Sequence, residues 1–244
     1  MRSAANRREK VSKGVLLSII VPTYNERENI SALIDRIESS LASLEFEIII
    51  VDDNSPDRTA EFAEELNKAY GNIKVVKRDG KFGLSSAVLD GFERAGASIL
   101  AVLDADLQHP PELLPKIYEK ILSGYDIAIA SRYVTGSAIG GWSLRRKIVS
   151  RAATGLAHML LPKARKASDV MSGFFILKRE VIEKVVLDPV GYKILLEILA
   201  RGTYNSVAEV PYVFGPRKSG RSHLGLREIW NYLIQIYRLV RPAG

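Results

Sequence analysis

Along the first half of the chain, short apolar runs alternate with segments whose apolar residues recur at helical spacing. Leu16–Val21 is almost continuously apolar, which is typical of a buried strand, and residues 26–43 have apolar positions three or four apart, which predicts an amphipathic helix. The same alternation continues to residue 130. It predicts strands at 16–21, 46–51, 72–77, 98–103 and 125–130, and helices at 26–43, 57–70, 84–95 and 110–122.

Strands that alternate with helices favour a largely parallel sheet with helices on both faces. The fold class expected is therefore α/β, with one domain built around a mostly parallel central sheet. The second half is less regular. It predicts a basic helix at 142–161, strands at 173–178 and 206–210, and helices at 191–201 and 224–240.

Polar side chains follow three of the predicted strands at the point where each strand ends. The segments are Pro22–Glu26, Asp52–Ser55 and Asp104–His109. Ligands bind at the carboxyl ends of strands in such sheets, so these segments mark the expected site. Asp104, Asp106 and Gln108 offer only oxygen ligands, the set that Mg²⁺ or Mn²⁺ prefers, and a substrate diphosphate would supply the remaining ligands. His109 is expected to be a structural loop histidine.

Several other classes of site are disfavoured. The chain has no cysteine, which excludes disulfides and thiolate metal sites. The first strand is not followed by a Gly-x-Gly-x-x-Gly loop, and no Gly-x-x-x-x-Gly-Lys segment occurs. A dinucleotide oxidoreductase and a P-loop NTPase are therefore not expected.

The net charge of +7 is unevenly distributed. Residues 1–15, 142–166 and 216–244 carry +4, +7 and +5, so the rest of the chain is −9. This segregation indicates an anionic partner such as phosphate or a membrane surface. The apolar stretches are shorter than the roughly 20 residues that a membrane span needs, so we expect no transmembrane segment.

The motifs together resemble a known family. PTYNE (22–26), VDDNSPDRT (51–59), GLSSA (83–87), DADLQHPPE (104–112), SRY (131–133) and SGFF (172–175) occur in this order. Their order and spacing resemble family 2 glycosyltransferases with the GT-A (Rossmann-like) fold, and among these the dolichyl-phosphate mannose synthases and their archaeal relatives. The resemblance extends from about residue 16 to residue 238.

The resemblance implies a role for each matching residue. Metal ligands would be Asp104, Asp106 and Gln108. Residues at the catalytic centre would be Asp104, Asp106, Arg132 and Arg146. Donor contacts would come from Pro22, Tyr24, Glu26, Val51, Asp53, Ala87, Asp104, Ala105, Lys193, Arg217 and Ser222. The family usually has lysine after that serine, whereas this chain has His223, so one phosphate contact would be either missing or pH-sensitive.

The implied activity is an inverting transfer of mannose from GDP-mannose to dolichyl or polyprenyl phosphate, with Mg²⁺ or Mn²⁺ as cofactor. A UDP-glucose:polyprenyl-phosphate glucosyltransferase and a non-catalytic nucleotide-sugar-binding protein are the alternatives; a nucleic-acid partner is not expected. The expected organisation is a basic extension at 1–14, a catalytic domain at 15–222 and an amphipathic helix at 223–244. That helix would place the protein at the cytoplasmic face of a membrane, where a membrane-anchoring partner subunit is a further expectation.

Overall fold

The computed structural model describes residues 16–140, 143–215 and 226–241. Nine strands and seven α-helices lie in these ranges, with short 3₁₀ turns at Pro111–Leu113, Pro162–Lys166 and Arg179–Val181. The strands are β1 (Leu17–Thr23), β2 (Phe46–Asp52), β3 (Ile73–Lys77), β4 (Ile99–Val102), β5 (Ile127–Ser131), β6 (Ala138–Ile139), β7 (Phe175–Lys178), β8 (Val207–Pro211) and β9 (Val213–Phe214). The helices are α1 (Arg27–Ser40), α2 (Thr59–Tyr70), α3 (Leu84–Arg94), α4 (Leu114–Leu122), α5 (Leu144–Leu160), α6 (Ile194–Arg201) and α7 (Leu226–Val240).

Seven strands form one sheet in the order β3-β2-β1-β4-β7-β5-β8. The pairs β1–β2, β1–β4, β2–β3 and β5–β8 are parallel, which confirms the mostly parallel sheet. Strand β7 runs antiparallel between β4 and β5. A separate two-stranded sheet pairs β6 with β9. The sequence pattern predicts neither the insertion of β7 nor this small sheet.

The sheet is covered on both faces, which explains the unbroken apolar runs of its central strands. Ile19 of β1 packs in a cluster with Ile30 of α1 and Ile117 of α4. On the opposite face, Ile20 packs in a cluster with Val88 of α3, and this cluster also includes buried residues of α5, α6 and α7. Both faces of β1 are buried by these two clusters, so the polar residues beyond its carboxyl end lie at the rim of the core.

Two helices begin later than the periodicity predicts, and both for backbone reasons. Pro110 is extended, with ψ 116°, and a 3₁₀ turn precedes α4. Gly191 has a φ of +77°, outside the helical region, so α6 begins at Ile194 and not at residue 191. The predicted N-terminal extension, 1–14, lies outside the described residues.

Candidate active site

The loops that follow β1 and β2 are joined to each other by hydrogen bonds. The Thr23 hydroxyl donates to Asp52 Oδ1 over 2.8 Å. The backbone N–H of Asn25 donates to Ser55 Oγ over 2.9 Å, and that of Glu26 to Thr59 Oγ1 over 3.1 Å. The loops after β1 and β2, which are both predicted to contact a nucleoside, therefore form one continuous rim at this edge of the sheet.

Asp53 is fixed from two sides. Its Oδ1 pairs with the guanidinium of Arg78, and its Oδ2 accepts the backbone N–H of Gly83 over 2.7 Å. The Arg78 side chain is only 9% exposed and also donates to Ser86 Oγ over 2.9 Å. Arg78 is not among the site residues predicted from the sequence, although its position directly after β3, at the same sheet edge, points to it.

Aromatic and aliphatic side chains border this end of the site. The ammonium of Lys81 lies 3.4 Å from the centroid of the Tyr24 ring. The guanidinium of Arg78 lies 4.9 Å from the centroid of the Phe82 ring, whose side chain is exposed. The other expected donor contacts here, Pro22, Val51 and Ala87, are buried. Their side chains therefore form the packed wall behind the rim.

Asp104 lies two residues after the end of β4, where two features set its position. Its Oδ2 is 3.3 Å from His109 Nε2. A Cβ on Gly173 would lie 2.3 Å from that same oxygen, so only glycine fits there. Asp104 Oδ1 is buried and has no hydrogen-bond partner within the described part of the chain. An orphaned carboxylate oxygen of this kind is suited to a cation.

Asp106 and Gln108 are held by a tight turn. Asp106 Oδ1 accepts the backbone N–H of Gln108 over 3.0 Å, and the intervening Leu107 has a φ of +60°, an uncommon conformation for leucine. The Gln108 amide nitrogen donates to the carbonyl of Gly215 over 3.1 Å. Its amide oxygen is therefore the atom that suits a cation.

His109 is enclosed by aromatic rings. Its Nδ1 lies 2.9 Å from the Tyr212 hydroxyl, and its ring centroid lies 5.8 Å from that of Phe174 and 5.3 Å from that of Phe214. Burial raises the pKa of Tyr212. His109 thus connects Asp104 to β9 and the segment that precedes it.

Arg132, directly after β5, forms a buried ion pair that the sequence analysis did not predict. Its Nε and Nη2 each donate to Asp169 over 2.7 Å, and its backbone N–H donates to the same carboxylate over 3.0 Å. Burial opposes the charge on Arg132, but Asp169 more than compensates, so the pKa of Arg132 is raised. Asp169 is fully buried, and its own N–H donates to Glu209 over 3.0 Å.

Lys193 precedes α6 and lies among the other charged groups of the site. Its pKa is lowered to about 8, mainly by burial and also by repulsion from Arg132 and Arg146. Attraction from Asp104 and Asp169 opposes this shift. Lys193 therefore lies close enough to Arg132 and Arg146, and to the predicted metal ligand Asp104, to interact with each electrostatically. Arg217, Ser222 and His223 lie outside the described residues.

The donor set fits a divalent cation that takes part of its coordination from a substrate. In the described ranges, no three His, Asp or Glu side chains come together as a metal cage. Two carboxylates and one amide oxygen leave open positions, which is the usual arrangement of Mg²⁺ on a phosphate substrate.

Comparison with known sequences gives consistent matches. Residues 18–186 match the family described as Glycosyl transferase family 2. The dolichol-phosphate mannosyltransferase of Pyrococcus furiosus is 50% identical over 228 residues, or 93% of this chain and 64% of that protein. The chain therefore spans a little under two thirds of this relative's length. The dolichol-phosphate mannosyltransferase of Saccharomyces cerevisiae is 38% identical, over 91% of this chain and 86% of that protein.

Solved structures share the fold. Glucosyl-3-phosphoglycerate synthase from Mycobacterium tuberculosis, in complex with Mn²⁺, UDP-glucose and phosphoglyceric acid, superposes with a TM-score of 0.68 at 20% identity, covering 95% of this chain and 82% of that one. Mannosyl-3-phosphoglycerate synthase from Rubrobacter xylanophilus has a TM-score of 0.67 at 19% identity, covering 97% and 76%. The sheet, the family match and these relatives agree: the chain belongs to glycosyltransferase family 2 and has the GT-A fold.

Proposed function

We propose that this chain transfers mannose from GDP-mannose to a dolichyl or polyprenyl phosphate held in a membrane. The 50% identity to a relative named dolichol-phosphate mannosyltransferase extends over 93% of the chain and supports this activity. The main observation in its support is that the acidic residue Asp104 and several basic residues lie in one site. Lys193 is influenced electrostatically by Asp104 as well as by Arg132 and Arg146.

This juxtaposition suits a reaction between two phosphate-bearing substrates. A nucleoside diphosphate sugar needs its leaving diphosphate neutralised, and a lipid phosphate needs cations that hold it near the sugar. Arg146 lies in the first turn of α5 and Lys193 precedes α6, so two different elements contribute positive charge. Asp53, fixed by Arg78, would hold the nucleoside at the other end of the rim.

The transfer needs no protein base. A phosphate monoester has a second pKa of about 6, so at neutral pH its oxygen is already an anionic nucleophile. This oxygen forms a bond to the anomeric carbon of mannose, and the bond from that carbon to the diphosphate oxygen breaks. The electron pair leaves on GDP, and the configuration at the anomeric carbon inverts. Arg132, Arg146 and Lys193 would stabilise the charge that develops on the leaving diphosphate and would hold the anionic acceptor phosphate near the sugar.

Asp104, Asp106 and Gln108 would hold Mg²⁺ or Mn²⁺. When bound, the ion would neutralise charge on the diphosphate. The orphaned Oδ1 of Asp104 supports this assignment. The Mycobacterium tuberculosis relative in complex with Mn²⁺ and UDP-glucose has the same fold and lends further support.

Helices α5 and α7 would face the membrane. Exposed apolar side chains lie on both: Leu144 and Ile148 on α5, and Ile229, Trp230, Leu233 and Tyr237 on α7. Arg145, Arg151 and Arg238 are exposed on the same helices. No helix among the described residues is long and apolar enough to cross a bilayer. We therefore propose that the two helices lie in the interface as a peripheral membrane surface, with a membrane-anchoring partner subunit as a further element.

A transfer assay tests the proposal. Labelled GDP-mannose is incubated with the full chain, detergent-dispersed polyprenyl phosphate and either Mg²⁺ or EDTA, with UDP-glucose as a parallel donor. We expect metal-dependent lipid-phosphate mannose, and none from Asp106→Ala. Product from UDP-glucose alone would reject the donor, and full activity of Asp106→Ala would reject the metal site. No product from either donor would reject the proposed activity.

A further inference from the structure

The face of α7 that points into the protein carries an unexpected polar residue. Gln235 is 1% exposed and lies beside Tyr232 and Ile236, which belong to the buried cluster under α3 and α6. Its Nε2 donates to the backbone carbonyl of Lys193 over 3.1 Å, and lies 3.4 Å from Glu197 Oε2. Both neighbours are acceptors, which fixes the orientation of the amide.

The amide oxygen of Gln235 makes this arrangement energetically unfavourable. Gln235 Oε1 is buried and has no hydrogen-bond partner within the described ranges. A methionine or leucine would fill similar space without burying an unpaired oxygen, so a glutamine here needs a compensating role. Its contacts with the Lys193 carbonyl and the Glu197 carboxylate distinguish it from an apolar residue, and the contact with Lys193 is the shorter.

Two backbone hydrogen bonds of the turn that Gln235 contacts are long. The Lys193 carbonyl also accepts the backbone N–H of Glu197, but over a long 3.4 Å. Gly191 adopts a left-handed φ of +77°, and a Cβ there would lie 3.4 Å from Cβ of Asn231 on α7. The carbonyl of Gly191 accepts the N–H of Ser85 over 3.4 Å. Helix α7 therefore packs against the turn, and its 3.1 Å hydrogen bond is shorter than these two backbone bonds.

We infer that Gln235 is a positioning residue: it fixes the Lys193 peptide, so that the ammonium of Lys193 is held toward the donor diphosphate. The inference rests on the proposed function of Lys193 as a donor contact. It gives α7 a second role, because the side chains proposed to face the membrane lie on the opposite face of the same helix. The site is therefore incomplete without this helix, although α7 lies outside the matched family region of 18–186.

A double-mutant cycle on GDP affinity tests the inference. The full chain is titrated with GDP in the presence of Mg²⁺ as the wild type, Gln235→Met, Lys193→Met and the double variant. We expect Gln235→Met to weaken GDP binding about fivefold to tenfold, and to have no further effect once Lys193 is replaced. If the two substitutions weaken GDP binding independently and additively, the inference is overturned. A purely structural effect of Gln235→Met would weaken binding whether or not Lys193 is present.

Tyr232→Phe is the matched control. Its hydroxyl donates a partly buried hydrogen bond from the same helix to the carbonyl of Ala153 on α5, and not to the turn at Lys193. We expect this variant to lose stability but keep its GDP affinity, and an equal loss of affinity would overturn the inference. If Gln235→Met does not fold, Gln235→Asn, which keeps the donor but is one methylene shorter, takes its place. If Lys193→Met alone leaves GDP binding unchanged, both the inference and the assigned role of Lys193 fail, while the transfer assay still stands.

Discussion

Gly173 and Asp104 are so close that a methyl group on the glycine would lie 2.3 Å from the carboxylate Oδ2. The two residues come from neighbouring antiparallel strands, since Gly173 precedes β7 and Asp104 follows β4. The SGFF motif therefore contributes a glycine at a position where a side chain would collide with the Asp104 carboxylate. The orientation of Asp104 results from this gap on one side and His109 on the other.

Gly173→Ala should displace the Asp104 carboxylate and reduce mannose transfer by about 100-fold, the loss that a misplacement of about 1 Å can cause. The control is Gly155→Ala on α5, where an added Cβ meets nothing within 4 Å. Alanine is the better helix former, so this control should retain activity and gain stability. Steady-state rates of both variants check the prediction, and equal rates would contradict it.

The buried pair Arg132–Asp169 should dominate the stability of its region. Asp169→Ala removes the carboxylate that is paired with the buried Arg132 guanidinium, at a cost of about 3–5 kcal/mol of unfolding free energy. The exposed pair Arg36–Glu112 has the same two-bond geometry, with both bonds at 2.7 Å. Because it is exposed to water, Glu112→Gln should cost no more than about 1 kcal/mol.

Urea unfolding of the two variants measures this difference. The double variant Arg132→Met/Asp169→Leu should recover part of the loss, since no unpaired charge remains. Equal effects of Asp169→Ala and Glu112→Gln would show that burial does not control the strength of this pair.

The strands that form the site could be predicted because their signals are local. Runs such as 16–21 and 46–51 are apolar over several residues, and the polar residues after them mark the edge where Asp53 and Asp104 lie. The motifs then identify candidate residues by type. The α/β fold and the edge of the sheet at which the site lies could therefore both be predicted from the sequence.

Partners that are distant in sequence could not be predicted in this way. Arg78 pairs with Asp53 across 25 positions, and Arg132 with Asp169 across 37. The choice of partner depends on strand order, and the insertion of β7 between β4 and β5 is set by packing of the whole sheet. Gln235 resembles any polar residue on an amphipathic helix until its burial is known.

The lowered pKa of Lys193 predicts a pH dependence of donor binding. The folded protein loses this proton near pH 8, whereas the unfolded chain keeps it to about pH 10.5. GDP affinity should therefore fall as pH rises through 8, because the cation is lost. The stability contributed by this group changes in the opposite sense and rises between pH 8 and 10.5, where the unfolded chain binds more protons.

Calorimetric titration with GDP and Mg²⁺ from pH 6.5 to 9.5 checks this prediction. Lys193→Arg keeps a cation throughout this range, so its affinity should lack the decrease near pH 8. A wild-type affinity that is constant with pH would contradict the assigned role.

Trp230 should report contact between α7 and lipid. It is 65% exposed, and Trp142 is the only other tryptophan of the chain. In a Trp142→Phe background, anionic vesicles should shift the fluorescence of Trp230 to the blue, and neutral vesicles should shift it less because basic residues contribute to binding. An unchanged spectrum with both kinds of vesicle would contradict the proposed membrane surface.

Metal and nucleotide should stabilise the protein together but not separately. The described residues form no three-ligand cage, so Mg²⁺ alone should bind weakly and change the melting temperature little. GDP with Mg²⁺ at 100 times its dissociation constant should add about 2.7 kcal/mol of unfolding free energy, or about 5–10 °C in melting temperature. Asp106→Asn should lose most of this increase, whereas Glu183→Gln, at an exposed position after β7, should keep it. A full increase with GDP and EDTA would mean that the nucleotide binds without the ion, and that Asp104 and Asp106 serve another purpose.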